Sequence, residues 1–223
     1  MARGPFDPAF EELPATIPVF PLAGVLLLPH GRLPLNIFEP RYLAMTCDAL
    51  KAERLIGMIQ PAEAERPGHV PALRAVGCVG RITAFSETDD GRYLITLAGL
   101  ARFRVAEELP TVSGYRRVRP DFAPFAADMA ETPPLELDRA RLLRALKGYL
   151  HQKGIKADWQ QIERSADGAL VTSLAMVCPF EPQEKQALLE AATPTERGRV
   201  LTALIEMALL GGASGGGGDS ARH

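Results

Sequence analysis

The sequence predicts an α+β chain: a β-rich first half built as a small barrel, then a helical second half. Three observations carry this. Between Ile17 and Arg119, short apolar runs recur between prolines and glycines, and only one stretch has a helical pattern. From Leu135 to Leu209, apolar residues recur instead at three- and four-residue spacing, the period of a helix face. Between the two lies Asp121–Pro134 (DFAPFAADMAETPP), a break in composition. The boundaries expected are 1–122 for the barrel domain, 123–134 for a linker, 135–210 for a helical bundle and 211–223 for a glycine-rich disordered tail.

The first half is organised around Ile17–Met45 (IPVFPLAGVLLLPHGRLPLNIFEPRYLAM). Its apolar runs predict strands at Ile17–Phe20, Val25–Leu28 and Leu33–Ile37, each far too short to span a bilayer. Pro18, Pro21, Pro29 and Pro34 lack the N–H that a ladder needs, so they belong at strand starts, edges or bulges. A helix follows over Arg41–Arg54. Pro40 suits its first position, and Glu39 sits where the positive end of the helix dipole favours an acid. Leu55–Ile59 is the next strand, and Ala62–Arg74, with its prolines and weak periodicity, is a long loop.

Ile82–Glu87 and Arg92–Leu97 flank Asp89-Asp90-Gly91, and Asp-Gly is a strong signal for a hairpin turn that needs positive φ. Alternation puts Tyr93, Ile95 and Leu97 on one face and Arg92, Leu94 and Thr96 on the other. Gly99 marks a bend. Phe103 and Val105 then alternate with Arg102 and Arg104, as in a half-buried strand whose arginines are solvated, and Tyr115–Arg119 is the last strand expected. Six or seven short strands with this punctuation suit a closed or nearly closed barrel.

In the second half, Leu142, Leu146, Tyr149 and Leu150 mark the apolar face of a helix over Leu135–Gln152. A short helix or turn surrounds Trp159. Leu170, Val171, Leu174, Val177 and Cys178 form the stripe of another helix, which Pro179 stops. Pro182 starts a helix over Gln183–Ala191. Thr193-Pro194-Thr195-Glu196 combines a capping box with proline at the first helical position, ahead of the apolar face of Val200, Leu201, Leu204, Ile205, Ala208 and Leu209. These helices should pack as a bundle.

The ordered set of segments resembles a known family. P-V-F-P-L-x-G-V-x-L-x-P, followed by L-P-L-x-I-F-E-P-R-Y, is similar to the opening of the Lon protease N-terminal domain. RLIGMIQ (54–60), VGCVGRIT (76–83), GLARFRV (99–105), EKQALLE (184–190) and ERGRVLTAL (196–204) follow in that family's order, so the resemblance covers about 15–210. It implies a PUA-like β pseudo-barrel followed by a C-terminal helical bundle. It also implies a non-catalytic role in polypeptide recognition, with the ATPase and peptidase domains of the full-length proteases, including the Ser–Lys dyad, absent from this chain.

Motifs for chemistry are sparse. There is no GxxxxGK[ST] to cradle ATP phosphates and no HExxH. His30, His69, His151 and His223 lack ligand spacing, and Cys47, Cys78 and Cys178 form no CxxC pair, so no metal or other cofactor is expected. The scattered cysteines read as free thiols of a reducing compartment. MARGPFDPAFEELP has no apolar core of a signal peptide, and the chain is expected to be cytoplasmic, with no membrane attachment. Gly212–Gly216 satisfies GxSxG, but a nucleophile elbow needs a strand-to-helix turn and this copy lies in the glycine tail.

Two surfaces remain. Glu39 and Arg41, with Tyr42 and the Pro29–Arg32 turn that carries His30 and Arg32, are the candidate peptide contacts. Arg102, Arg104, Arg116, Arg117 and Arg119 are the basic cluster that an RNA-binding PUA-like module, the alternative function, would use. A net charge of −2, the adjacent Glu107 and Glu108, and the lack of interleaved aromatic residues argue against nucleic acid. The partner expected is an unfolded polypeptide or one with exposed apolar segments, bound alone or for a separate ATP-dependent protease. The sequence does not specify an oligomeric state.

Overall fold

The computed structural model describes residues 6–63, 66, 68, 70–130 and 135–214, with backbone alone for 212–214. The chain enters the sheet as β1 (Ile17–Pro21), returns as β2 (Arg32–Ile37) and passes through α1 (Pro40–Lys51). β3 (Leu55–Pro61), β4 (Leu73–Glu87), β5 (Tyr93–Val112) and β6 (Tyr115–Asp121) complete the strands. A 3-10 turn over Ala123–Met129 leads to α2 (Arg139–Gln152), α3 (Trp159–Arg164), α4 (Asp167–Val177), α5 (Pro182–Glu190) and α6 (Pro194–Ser214).

The strand order is β2-β5-β4-β3-β1-β6, and β5 also pairs with β6. β5, β4, β3, β1 and β6 therefore close a ring, with β1 and β3 parallel and the other pairs antiparallel. The length of β5 makes this possible. Its first half pairs with β2 (Tyr93↔Ile37 to Ala98↔Arg32), and its second half pairs with β6. β2 and the adjoining ends of β4 and β5 thus project from the ring as a three-stranded wing. Asp89-Asp90-Gly91 turns the hairpin at the wing's tip, with Gly91 at φ +78 and the Gly91 N–H donating to the Thr88 carbonyl at 2.9 Å.

Val25–Leu28 was expected as a strand and is not one. Leu26, Leu27 and Leu28 are buried all the same. Instead of a strand ladder, the turn after them docks on β5: the His30 N–H donates to the Gly99 carbonyl and the Gly99 N–H to the Gly31 carbonyl, both at 2.9 Å. A Cβ at Gly99 would lie 2.0 Å from the Leu28 carbonyl oxygen, so only glycine allows this approach. In the expected loop after β3, the Ala62 N–H donates to the Ala72 carbonyl (2.7 Å), while residues 64, 65, 67 and 69 lie outside the described residues.

Apolar side chains form two clusters. Ile17, Val19, Leu55, Ile59, Val79, Phe103, Val118 and Phe122 pack together in one. The larger joins Phe20, Leu27, Ile37, Tyr42, Met45 and Leu97 to Leu142, Leu146, Tyr149, Leu188, Leu201 and Ile205, so the helices and the sheet share one core. Leu142, Leu146, Tyr149 and Leu150 lie on the buried face of α2, as its spacing requires. Val177 departs from its stripe. It ends α4 at 80% exposed, while Cys178, beyond the helix, takes the buried place. At the start of α6 the expected capping box is half formed, its acid reaching one residue further back. Thr193 Oγ1 accepts from the Glu196 N–H (3.1 Å), and the Glu196 carboxylate accepts from the Ala192 N–H (2.9 Å). α6 continues to Ser214, into the segment expected as tail, since one or two glycines cost a helix only about 1 kcal/mol each. Residues 215–223, which include the end of the GxSxG match, lie outside the described residues.

Polar pins cross the sheet–helix boundary. Arg102 is the largest surprise, at 3% exposed rather than solvated. Its guanidinium forks onto Asp128 (Nε to Oδ2 and Nη2 to Oδ1, both 2.8 Å), and Nη1 donates to the Leu189 and Ala191 carbonyls at the end of α5. Arginine buries well in such a site because each guanidinium nitrogen meets an acceptor. This pin anchors the 3-10 turn inside the stretch expected as linker. A second pin is amide-based: Gln60 Nε2 donates to the Pro182 carbonyl (2.9 Å) and to Gln186 Oε1 (3.1 Å), and Gln186 Nε2 donates to the Val76 carbonyl (3.1 Å).

Candidate functional site

The wing carries the candidate site. β2 is its edge strand: β5 pairs with one side, and among the described residues no strand pairs with the other. Pro34 fits such a position, because a proline in a strand is tolerated where no ladder partner needs its N–H. Alternation turns Ile95, Leu97 and Ile37 into the core and sends Leu94, Pro34 and Asn36 outward. Register aligns the outward residues in rows, Pro34–Thr96–Ala84 and Asn36–Leu94–Ser86. Leu94 is 45% exposed on this face, whereas Phe85, 44% exposed, pairs with Ile95 and lies on the opposite face, its ring edge-on to Tyr93 at 5.1 Å. Pro34, Asn36, Ala84, Ser86, Leu94 and Thr96 line a shallow concavity on this face. At the far end of β2, Phe38 is 61% exposed, and the Arg92 guanidinium lies 5.8 Å from its ring centroid.

The residues singled out by sequence do not converge on one pocket. They bracket β2. His30 and Arg32 precede or open the strand and are exposed. Glu39 and Arg41 follow it, past the other end of a strand about 17 Å long. Glu39 does not cap α1; its carboxylate takes the Arg41 guanidinium instead (Nη2 to Oε2, 2.8 Å). The Arg41 guanidinium in turn lies 4.6 Å from the Tyr42 ring centroid. Tyr42 itself is buried, 4.1 Å from the Phe20 ring, so it seats this corner from beneath and is no surface contact. The φ of +64 at His30 is unusual for a side chain with a Cβ, and the paired bonds to Gly99 hold it there. Partial burial keeps the His30 imidazole, which still reaches solvent, below its ordinary pKa.

Phe38 and Leu94 escaped the sequence reading. The available signal was Leu94, an apolar residue on the face of β5 opposite Ile95 and Leu97, beside an edge strand.

The basic cluster is largely committed. Arg116 forks onto Glu108 (2.6 and 2.7 Å) and donates to the Pro71 carbonyl, Arg119 pairs with Glu107, and Arg117 donates to the Pro110 carbonyl. Burial pushes the Cys78 thiol up and the Cys178 thiol to about 11, so both stay protonated at neutral pH. Among the described residues, no three His, Cys, Asp or Glu side chains gather as metal ligands, and no helix is long and apolar enough to cross a membrane.

The architecture has solved relatives. A Lon N-terminal domain protein from Xanthomonas campestris superposes with a TM-score of 0.59 at 25% identity, covering 84% of this chain and 97% of that one. The N-terminal domain of a Mycobacterium avium complex Lon protease shares the fold, with a TM-score of 0.56 at 17% identity, covering 85% of this chain and 97% of that one. Among curated proteins, a Lon protease of Anaeromyxobacter dehalogenans is 28% identical over 87% of this chain, and Lon protease 2 of Myxococcus xanthus is 27% identical over 87%. The chain spans only 23% and 24% of the lengths of those two proteins. The profile of the ATP-dependent protease La (LON) substrate-binding domain matches residues 16–206, which takes in the ring, the wing and the helices. The chain belongs to the Lon substrate-binding domain family.

Proposed function

We propose that this chain recognises polypeptide substrates without cutting them, by holding exposed apolar segments of unfolded or damaged proteins against the wing. The observation that carries this is the unpaired edge of β2 beside an exposed apolar face. An extended segment can add its backbone to such an edge and set alternate side chains on Pro34 and Leu94. His30 and Arg32 at one end of β2, and Phe38, Glu39 and Arg41 at the other, would border the bound segment. In this role the chain needs no cofactor, works in the cytoplasm and delivers clients to a separate ATP-dependent protease. The RNA alternative has little support, because Arg102, Arg116, Arg117 and Arg119 already carry carboxylate or carbonyl partners.

The test is binding of a reduced, unfolded model protein, with micromolar affinity expected, as suits a site that must release its clients. Burying an exposed Phe or Leu is worth roughly 1.5–3 kcal/mol, so Leu94→Ser and Phe38→Ser should each weaken binding about tenfold or more. Both side chains lie outside the core, so the melting temperature should hold within about 2 °C. Replacing Glu39 and Arg41 together should weaken binding further. Raising salt should change little, since apolar burial is not screened. Wild-type affinity in the Leu94 and Phe38 variants would remove the wing from the mechanism. Tight binding to structured RNA with a steep salt slope, and none to the unfolded protein, would replace the proposal by its alternative.

A further inference from the structure

The junction of ring and helices holds more buried positive charge than its acceptors satisfy. Arg197, in the first turns of α6, is 4% exposed. Its Nε donates to the Leu188 carbonyl at 2.8 Å, and its buried Nη2 has no hydrogen-bond partner among the described residues. The nearby acceptors are already taken. Both oxygens of Asp128 receive the Arg102 guanidinium, and Oδ2 also receives the Arg102 backbone N–H at 2.9 Å. The Leu189 and Ala191 carbonyls accept from Arg102 Nη1. Two buried guanidiniums thus share a single buried carboxylate. The carbonyl end of the α5 dipole offsets part of the excess, at most about half a charge. Burial, with the Arg102 charge adding to it, lowers the Arg197 pKa to about 10.

We infer that this junction binds a small monovalent anion of chloride size on the free Nη2 of Arg197. A water molecule would give the orphan N–H an acceptor but leave the charge excess in place; an anion supplies both. Size follows from burial: with Arg197 and Asp128 almost closed to solvent, a polypeptide carboxylate cannot reach the site with its chain attached. Bound there, the ion would tie α6 to the Arg102–Asp128 pin, and so tie the helices to the ring. The inference does not depend on the proposed function.

The experiment is thermal unfolding of the full chain at constant ionic strength, with chloride replacing gluconate, an anion too large to enter. A saturable rise of roughly 2–4 °C is expected for the wild type, corresponding to ligand linkage of about tenfold in the folding equilibrium. Arg197→Gln removes the guanidinium and should abolish the chloride dependence. Should that variant fail to fold, excess broadening of the chloride-35 resonance by the wild-type protein, competed away by bromide, reads the site directly. A melting temperature indifferent to chloride, with no competable broadening, overturns the inference and leaves water as the acceptor. A chloride effect that persists in folded Arg197→Gln also overturns it, because the ion then sits elsewhere.

Discussion

Arg102→Ala is expected to lower stability by about 3–5 kcal/mol, among the larger effects any single substitution here should have. The deletion leaves a nearly closed Asp128 carboxylate without its fork and returns the Leu189 and Ala191 carbonyls to an unpaired state. At roughly 2–4 °C per kcal/mol for a chain of this size, the melting temperature should fall by at least about 6 °C. The pair is not by itself proof of net stabilisation, since desolvation opposes it. Replacing both partners with apolar residues of similar shape, as in Arg102→Met with Asp128→Leu, should therefore recover much of the loss. Urea unfolding of the single and double variants gives both numbers. A loss under about 1 kcal/mol for Arg102→Ala would mean that water replaces the guanidinium at no great cost, and that the pin does not hold the helices to the ring.

Arg102 also marks a limit of period-two reading. The run Arg102-Phe103-Arg104-Val105 alternates charged and apolar residues, and one face was accordingly expected in water. Alternation holds for Phe103, which is fully buried, and for Arg104, which is exposed. It fails at Arg102 because the other face of β5 is covered there by the 3-10 turn and the end of α5, elements more than twenty residues downstream. No local pattern encodes that cover. Signals confined to a few residues fared better: Asp-Gly placed the hairpin, Pro40 the start of α1, and the Thr193–Glu196 box the start of α6.

The candidate site was legible only in part, for a related reason. Sequence proximity put His30, Arg32, Glu39, Arg41 and Tyr42 in one stretch, and the structure sets the groups before and after β2 at its opposite ends. What lies between them is defined by pairing. Leu94 and Ala84 belong to strands some fifty residues away and reach β2 only through the register Asn36↔Leu94 and Pro34↔Thr96↔Ala84. Whether β2 is an edge is likewise a property of the whole sheet.

Gly99→Ala is the second substitution expected to act strongly, although it adds a single methyl group. The bend expected at Gly99, where the β4–β5 register shifts, is also a contact. The new Cβ would meet the Leu28 carbonyl oxygen at 2.0 Å and its carbon at 2.9 Å, and backbone atoms cannot swing aside as a side-chain end does. Relief requires Leu28–Gly31 to lift from β5, which would break the bonds from the His30 N–H to Gly99 and from Gly99 to Gly31. It would also loosen Leu26, Leu27 and Leu28 in the core they share with the helices. Overpacking typically costs about 1–3 kcal/mol, and with two backbone bonds at risk the loss here should reach or exceed the top of that range. Gly168→Ala is the matched control: it lies in α4 with nothing within 4 Å of its would-be Cβ, and should be neutral or stabilising by up to about 1 kcal/mol. Because the Pro29–Gly31 turn leads directly into β2, Gly99→Ala should also weaken capture of an unfolded protein, even at temperatures where the chain remains folded. Equal stability of the two alanine variants would show that the turn yields freely, and that β2 does not depend on this contact for its position.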